Sequence, residues 1–141
     1  MEYFKVEGGY PLSGEITVSG AKNVALKVLI ASLLTEEEVV IENVPLISDL
    51  FALADIIKKL GGEVEITRDH LMRINAKNLH TFEITSSGFG KLRASFLLLV
   101  PLLARFKQAK IPLSGGDKIG VRPIDRTING LRKMGVQLDF Y

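Results

Sequence analysis

The sequence predicts a mixed α/β (α+β) fold in which apolar helices lie inside and strands wrap around them. Three observations carry this reading. Segments with a period of two alternate along the chain with segments of helical period. A helix–strand–helix–strand unit recurs at an offset of roughly seventy residues, the mark of a fold built from repeats. Two helical segments, Leu26–Leu34 and Ala94–Phe106, are apolar almost all round, as a helix buried on every side must be.

The elements follow in order. Polar and apolar residues alternate from Met1, giving strands over Phe4–Glu7 and Glu15–Val18. A helix over Ala21–Leu34 comes next, then a strand over Glu38–Glu42 centred on Val39-Val40-Ile41. The helix over Asp49–Leu60 is amphipathic and stops at Gly61, a residue that suits the left-handed cap after a helix. Strands over Glu63–Thr67 and Leu71–Asn75 close the first unit. The second unit has an apolar helix over Lys91–Phe106, which Pro101 should kink, and a strand over Ala109–Leu113. It ends in a helix over Pro123–Met134 and a strand over Val136–Phe140. Lys133-Met134-Gly135 repeats the helix ending Lys59-Leu60-Gly61.

Composition excludes several classes of function. A 141-residue chain that is 47% hydrophobic can bury an ordinary core, so disorder is not its main state. The net charge of +2 is spread along the chain, with no aromatic–basic interleaving, so no nucleic-acid partner is expected. The absence of cysteine rules out disulfides and thiolate metal sites. His70 and His80 lack metal-ligand spacing and read as surface or strand-end residues. The most apolar run, Ala94–Ala104, is shorter than the ~20 residues a membrane span needs. With alternating residues at the start rather than a leader, the expected location is the cytoplasm, with no membrane partner.

Two motifs carry chemistry. Ser114–Asp125 contains Gly115, Gly116 and Gly120 around Asp117, then Arg122 before Pro123. Glycines let a ligand approach the main chain, Arg122 offers a bidentate fork, and Pro123 suits a helix start whose amides attract anions. The segment reads as a loop presenting an acid beside an anion site, or more plainly as a glycine-rich surface turn. Upstream, Lys22 and Asn23 open the first helix. A lysine there has the wrong sign for helix stability but the right sign for an anion site. The alternative is a solvated lysine on a frayed end.

Taken together, these motifs, with Leu92-Arg93-Ala94-Ser95 and Leu103-Ala104-Arg105-Phe106, resemble the enolpyruvyl transferases across the whole chain, and within them the branch that acts on UDP-N-acetylglucosamine. The resemblance implies an inside-out α/β barrel of six repeats in two halves. It implies attack of the sugar 3′-hydroxyl on C2 of phosphoenolpyruvate and loss of phosphate, the first committed step of peptidoglycan synthesis, with no metal or organic cofactor. By position, Lys22, Asn23 and Arg122 would contact phosphoenolpyruvate. Arg93, Arg122, Pro123, Ile124, Asp125 and Arg126 would contact UDP-N-acetylglucosamine. Asp117 would be the catalytic general acid that protonates C3.

The chain departs from the commoner family pattern at Asp117, where that pattern has cysteine. A carboxyl is a useful acid only if it holds a proton near neutral pH, and its free value is about 3.9. Lys118 and Arg122 would lower that value; loop closure and a substrate phosphate would raise it. Length is the second departure, since family members continue well past residue 141. The resemblance therefore implies an N-terminal segment. Residues 1–20 would belong to the other half-domain, and 21–141 would hold two repeats, about 21–85 and 86–141, the second incomplete. Such a segment is expected to be inactive by itself and prone to self-association. Alternatives are a shikimate-pathway enolpyruvyl transferase and a non-catalytic module that binds a UDP-sugar or serves assembly.

Overall fold

The computed structural model describes residues 2–84, 93–112 and 124–139, with only the backbone of Arg93, Ala94 and Ser95. Among these residues the regular elements are α1 (Lys22–Ala31), β1 (Val39–Ile41), α2 (Ser48–Lys59), β2 (Glu63–Ile66), β3 (Met72–Asn75), α3 (Leu99–Phe106) and α4 (Asp125–Lys133). Single 3-10 segments cover Ser32–Leu34 and Arg93–Leu98. The mixed α/β class is as expected.

The sheet has the order β1-β3-β2, with β3 antiparallel to both neighbours. Its register pairs Val64 with Ile74 and sets Ile66 and Ile41 on either side of Met72. Those residues share one face, on which Val64, Met72 and Ile74 are buried. Arg73 points to the other face and pairs with Glu38 at 3.2 Å. A slip of one residue would exchange the two faces, so burial itself fixes the pairing.

Helices cover the apolar face. Ala25, Leu26, Leu29 and Ile30 of α1 and Leu50, Leu53, Ala54, Ile56 and Ile57 of α2 join the sheet residues, Leu98 and Leu102 in one core. The spacing of three and four residues puts each set on one helical face. Val24 and Val28, however, are 59% and 38% exposed, so α1 is buried on one side rather than all round. Its described neighbours, α2 and the Arg93–Leu98 turn, do not enclose it.

Other differences have equally local causes. The predicted helix over Lys91–Phe106 is a 3-10 turn that becomes α-helical at Leu99. The expected kink at Pro101 is replaced by this change upstream, which leaves Pro101 in the first turn of α3, where its missing N–H needs no helical partner. Phe4–Glu7 and Glu15–Val18 form no ladder, and Phe4 is fully exposed. A strand exists only against a partner, and none of the described residues supplies one. Lys110 makes a single parallel bridge with Glu83 where the strand Ala109–Leu113 was expected. Residues 136–139 are likewise unpaired as a strand. At α4 the helix begins at Asp125 with Ile124 as its cap.

The two predicted glycine caps are the same motif. Gly61 and Gly135 both have positive φ, +98° and +89°. Gly61 donates to Lys58 O and Gly62 to Ile57 O, each at 3.0 Å; Gly135 donates to Arg132 O and Val136 to Leu131 O, also at 3.0 Å. In each case the last carbonyls of the helix are satisfied by the chain that leaves it.

Arg105 joins the two parts of the sequence. Its guanidinium donates to Thr35 O at 3.2 Å, Leu33 O at 3.5 Å and Ala76 O at 3.3 Å, and pairs with Glu36 at 3.3 Å. Only 17% of the side chain is exposed. Arg105 thus ties α3 to the end of α1 and to the end of β3.

Candidate functional site

The site is built around the approach to α1. Asn43, in the left-handed region at φ 54°, reaches back to the incoming chain. Its Nδ2 donates to Val18 O at 3.3 Å, and its Oδ1 accepts the Gly20 N–H at 3.2 Å. A Cβ on Gly20 would overlap the Asn43 backbone oxygen, so this close approach requires glycine. The Asn43 loop is itself held by the β2–β3 turn. Val44 N–H donates to His70 O at 2.8 Å, and His70 Nδ1 lies 2.9 Å from Val44 O, which requires the tautomer protonated at that nitrogen.

Two residues after Gly20 the helix begins. Ala21 is extended, and its carbonyl accepts from Val24 and Ala25 at 3.1 and 3.0 Å. Among the described residues no side chain caps this start, and no acid lies in the first turn of α1. The first amides and the positive end of the helix dipole are therefore unneutralised by α1 itself. Lys22 and Asn23 stand there, both exposed. The Lys22 ammonium forms an ion pair with Asp49, in the first turn of α2. The starts of α1 and α2 are thereby brought side by side.

An ammonium carries three donors, and one carboxylate does not consume them all. With the bare amides of α1 beneath it, this end of the molecule can take a phosphate or carboxylate. Sequence reasoning missed Asp49. Asp49 is an ordinary acid at a helix start, a favourable place for one, and its distance along the chain from Lys22 leaves no local pattern to find.

The other predicted site residues are described only in part. The backbone of Arg93 opens the 3-10 turn that packs against α1; its side chain lies outside the described residues. Ile124 is half-buried, and Asp125 and Arg126 are exposed at the start of α4. Among the described residues, α4 makes no extensive packing with α1 or α2. Asp117, Arg122 and Pro123 lie outside the described residues. No helix among the described residues is long and apolar enough to cross a membrane.

Comparison with known proteins gives a consistent set of relatives. Residues 6–140 match the family model for EPSP synthase (3-phosphoshikimate 1-carboxyvinyltransferase). The chain is 41% identical over 138 residues to a UDP-N-acetylglucosamine 1-carboxyvinyltransferase of Helicobacter pylori (strain J99 / ATCC 700824), a match covering 98% of this chain and 33% of that protein. A protein of the same name from Prochlorococcus marinus (strain NATL2A) is 42% identical over 137 residues, covering 97% and 30%. The crystal structure of the enolpyruvyl transferase NikO from Streptomyces tendae superposes with a TM-score of 0.75 over 92% of this chain and 28% of that one, at 24% identity, a likeness of fold. The chain spans about a third of the length of the curated relatives it matches.

Proposed function

The chain belongs to the EPSP synthase family, and from that membership we propose that the protein carrying it transfers the enolpyruvyl group of phosphoenolpyruvate to the 3′-hydroxyl of UDP-N-acetylglucosamine and releases phosphate. The observation that carries this reading is Lys22, a cation at an uncapped helix start where helix stability would favour an acid. The names of the relatives support the nucleotide sugar as acceptor. In this reading the reaction takes place in the cytoplasm and contributes the first committed step of peptidoglycan synthesis.

Roles follow by position. Lys22 and Asn23 take the anionic groups of phosphoenolpyruvate, joined by Arg122. Arg93, Arg122, Pro123, Ile124, Asp125 and Arg126 face the nucleotide sugar. Asp117 protonates C3 as the acceptor oxygen bonds to C2. Loss of a proton from C3 with cleavage of the C2–O bond to phosphate then restores the C2–C3 double bond and expels phosphate. The whole protein forms an inside-out barrel in two halves. Residues 1–20 belong to one half, and the two repeats at about 21–85 and 86–141 belong to the other. The acceptor's base lies outside these 141 residues, so the chain alone is inactive.

The test is phosphate release by the full-length protein from phosphoenolpyruvate, with UDP-N-acetylglucosamine or shikimate 3-phosphate as acceptor. Release with the first is expected. Release only with the second would move the protein to the shikimate branch. Binding of the nucleotide sugar without turnover would make it a binding module.

A further inference from the structure

We propose that Asp49 is a positioning residue, whose carboxylate holds the Lys22 ammonium over the uncapped start of α1 where phosphoenolpyruvate is bound. The inference rests on the activity proposed above. A lysine side chain has four rotatable bonds, and the field at the start of α1 repels its charge. Among the described residues Asp49 is its ion-pair partner. Asp49 is well placed to stay still. The positive end of α2 favours its charge, and its neighbours Leu50 and Leu53 are fully buried in the core.

The pair is not explained by folding stability. Lys22 is 51% exposed, and solvent-exposed ion pairs contribute little to stability. What the contact does is restrict where the ammonium stands. Two effects of Asp49 on an anionic ligand oppose each other: the carboxylate fixes Lys22, and it repels the ligand. Asp49→Asn separates them, because the amide oxygen still accepts from the ammonium while the charge is gone.

The experiment is steady-state phosphate release by the full-length protein, with phosphoenolpyruvate varied at saturating UDP-N-acetylglucosamine. Wild type is compared with Asp49→Ala, Asp49→Asn, Lys22→Ala and the Lys22→Ala/Asp49→Ala double variant. Asp49→Ala should raise KM for phosphoenolpyruvate about three- to tenfold, and Lys22→Ala about tenfold or more. KM for the nucleotide sugar should change by less than about twofold in the Asp49 variants, and Asp49→Asn should stay within about twofold of wild type for both substrates. Adding Asp49→Ala to Lys22→Ala should do nothing further, since the two act as one unit. Asp49→Ser, which keeps a favourable residue at the start of α2, replaces the alanine variant if that chain does not fold, with the same expected rise.

An unchanged KM in the alanine or serine variant, an asparagine variant as impaired as alanine, or additive effects in the double variant would each overturn the role of Asp49 alone. A wild-type protein without turnover would overturn the activity reading, and with it this role toward phosphoenolpyruvate.

Discussion

Asn43 and Gly20 interlock: the side-chain oxygen of Asn43 accepts the Gly20 amide at 3.2 Å, and its backbone oxygen fills the space a Gly20 side chain would need. The contact fixes where the chain enters α1, two residues before Lys22. Asn43 is in turn pinned through Val44 to His70 at the β2–β3 turn. The candidate site thus inherits its position from the hairpin.

Gly20→Ala is therefore expected to cost about 1–3 kcal/mol, the usual range for overpacking against atoms that cannot yield. It should also raise KM for phosphoenolpyruvate, because the start of α1 must shift. Thermal unfolding and steady-state kinetics on the full-length protein check this. An unaltered melting temperature would mean that the Asn43 loop gives way freely.

Arg105→Ala should lower stability by about 1.5–3 kcal/mol, the worth of hydrogen bonds from a charged donor. Leu33, Thr35 and Ala76 would lose their donor together. Arg105→Lys should recover little, since a single ammonium cannot span three carbonyls as the planar fork does. Denaturant midpoints measure both. Equal midpoints for wild type and the alanine variant would show that water serves those carbonyls as well.

On the activity proposed above, Asp117 should make the full-length protein resistant to fosfomycin, an epoxide that would need the loop cysteine of the commoner pattern as its nucleophile. A carboxylate is a far weaker nucleophile than a thiolate, and the sequence has no cysteine. Asp117→Cys should stay active and gain time-dependent inactivation, while Asp117→Asn should lose turnover because an amide is no general acid. A preincubation time course compares the three proteins. Covalent inactivation of the wild type, or full activity of the asparagine variant, would remove Asp117 from that role.

The 141-residue chain by itself should self-associate. Val24, Val28, Phe51 and Val100 stand exposed on the helices, and Phe4 and Leu12 are almost wholly bare on the extended start. Apolar surface of this extent favours association. Sedimentation velocity over a concentration series reads it; a single monomeric species at the highest concentration would contradict it.

The parts of the fold legible in sequence were those governed by nearby residues. The helix at Asp49–Leu60 is found at Ser48–Lys59 and the strand at Leu71–Asn75 at Met72–Asn75, because periodicity and Gly61 are local signals. The strand at Phe4–Glu7 rests on alternation and that at Val136–Phe140 on the repeat of the first unit, and neither signal says whether a partner strand is at hand. The site divides in the same way. Lys22 stood out because it breaks a rule of its own helix start, whereas Asp49 obeys every local rule and acquires its meaning only when α2 lies beside α1.

The paired helix endings at Gly61 and Gly135 give the chain an internal calibrant. Both glycines share a hydrogen-bond pattern and a left-handed backbone, yet among the described residues a Cβ at Gly135 meets nothing within 4 Å, while one at Gly61 would overlap the His80 ring and the Asn78 carbonyl. Alanine at Gly135 therefore reports the backbone penalty in isolation, about 1–2 kcal/mol. Alanine at Gly61 reports the same penalty plus a collision. Subtracting one from the other weighs a steric contact against a closely similar conformational background inside a single molecule.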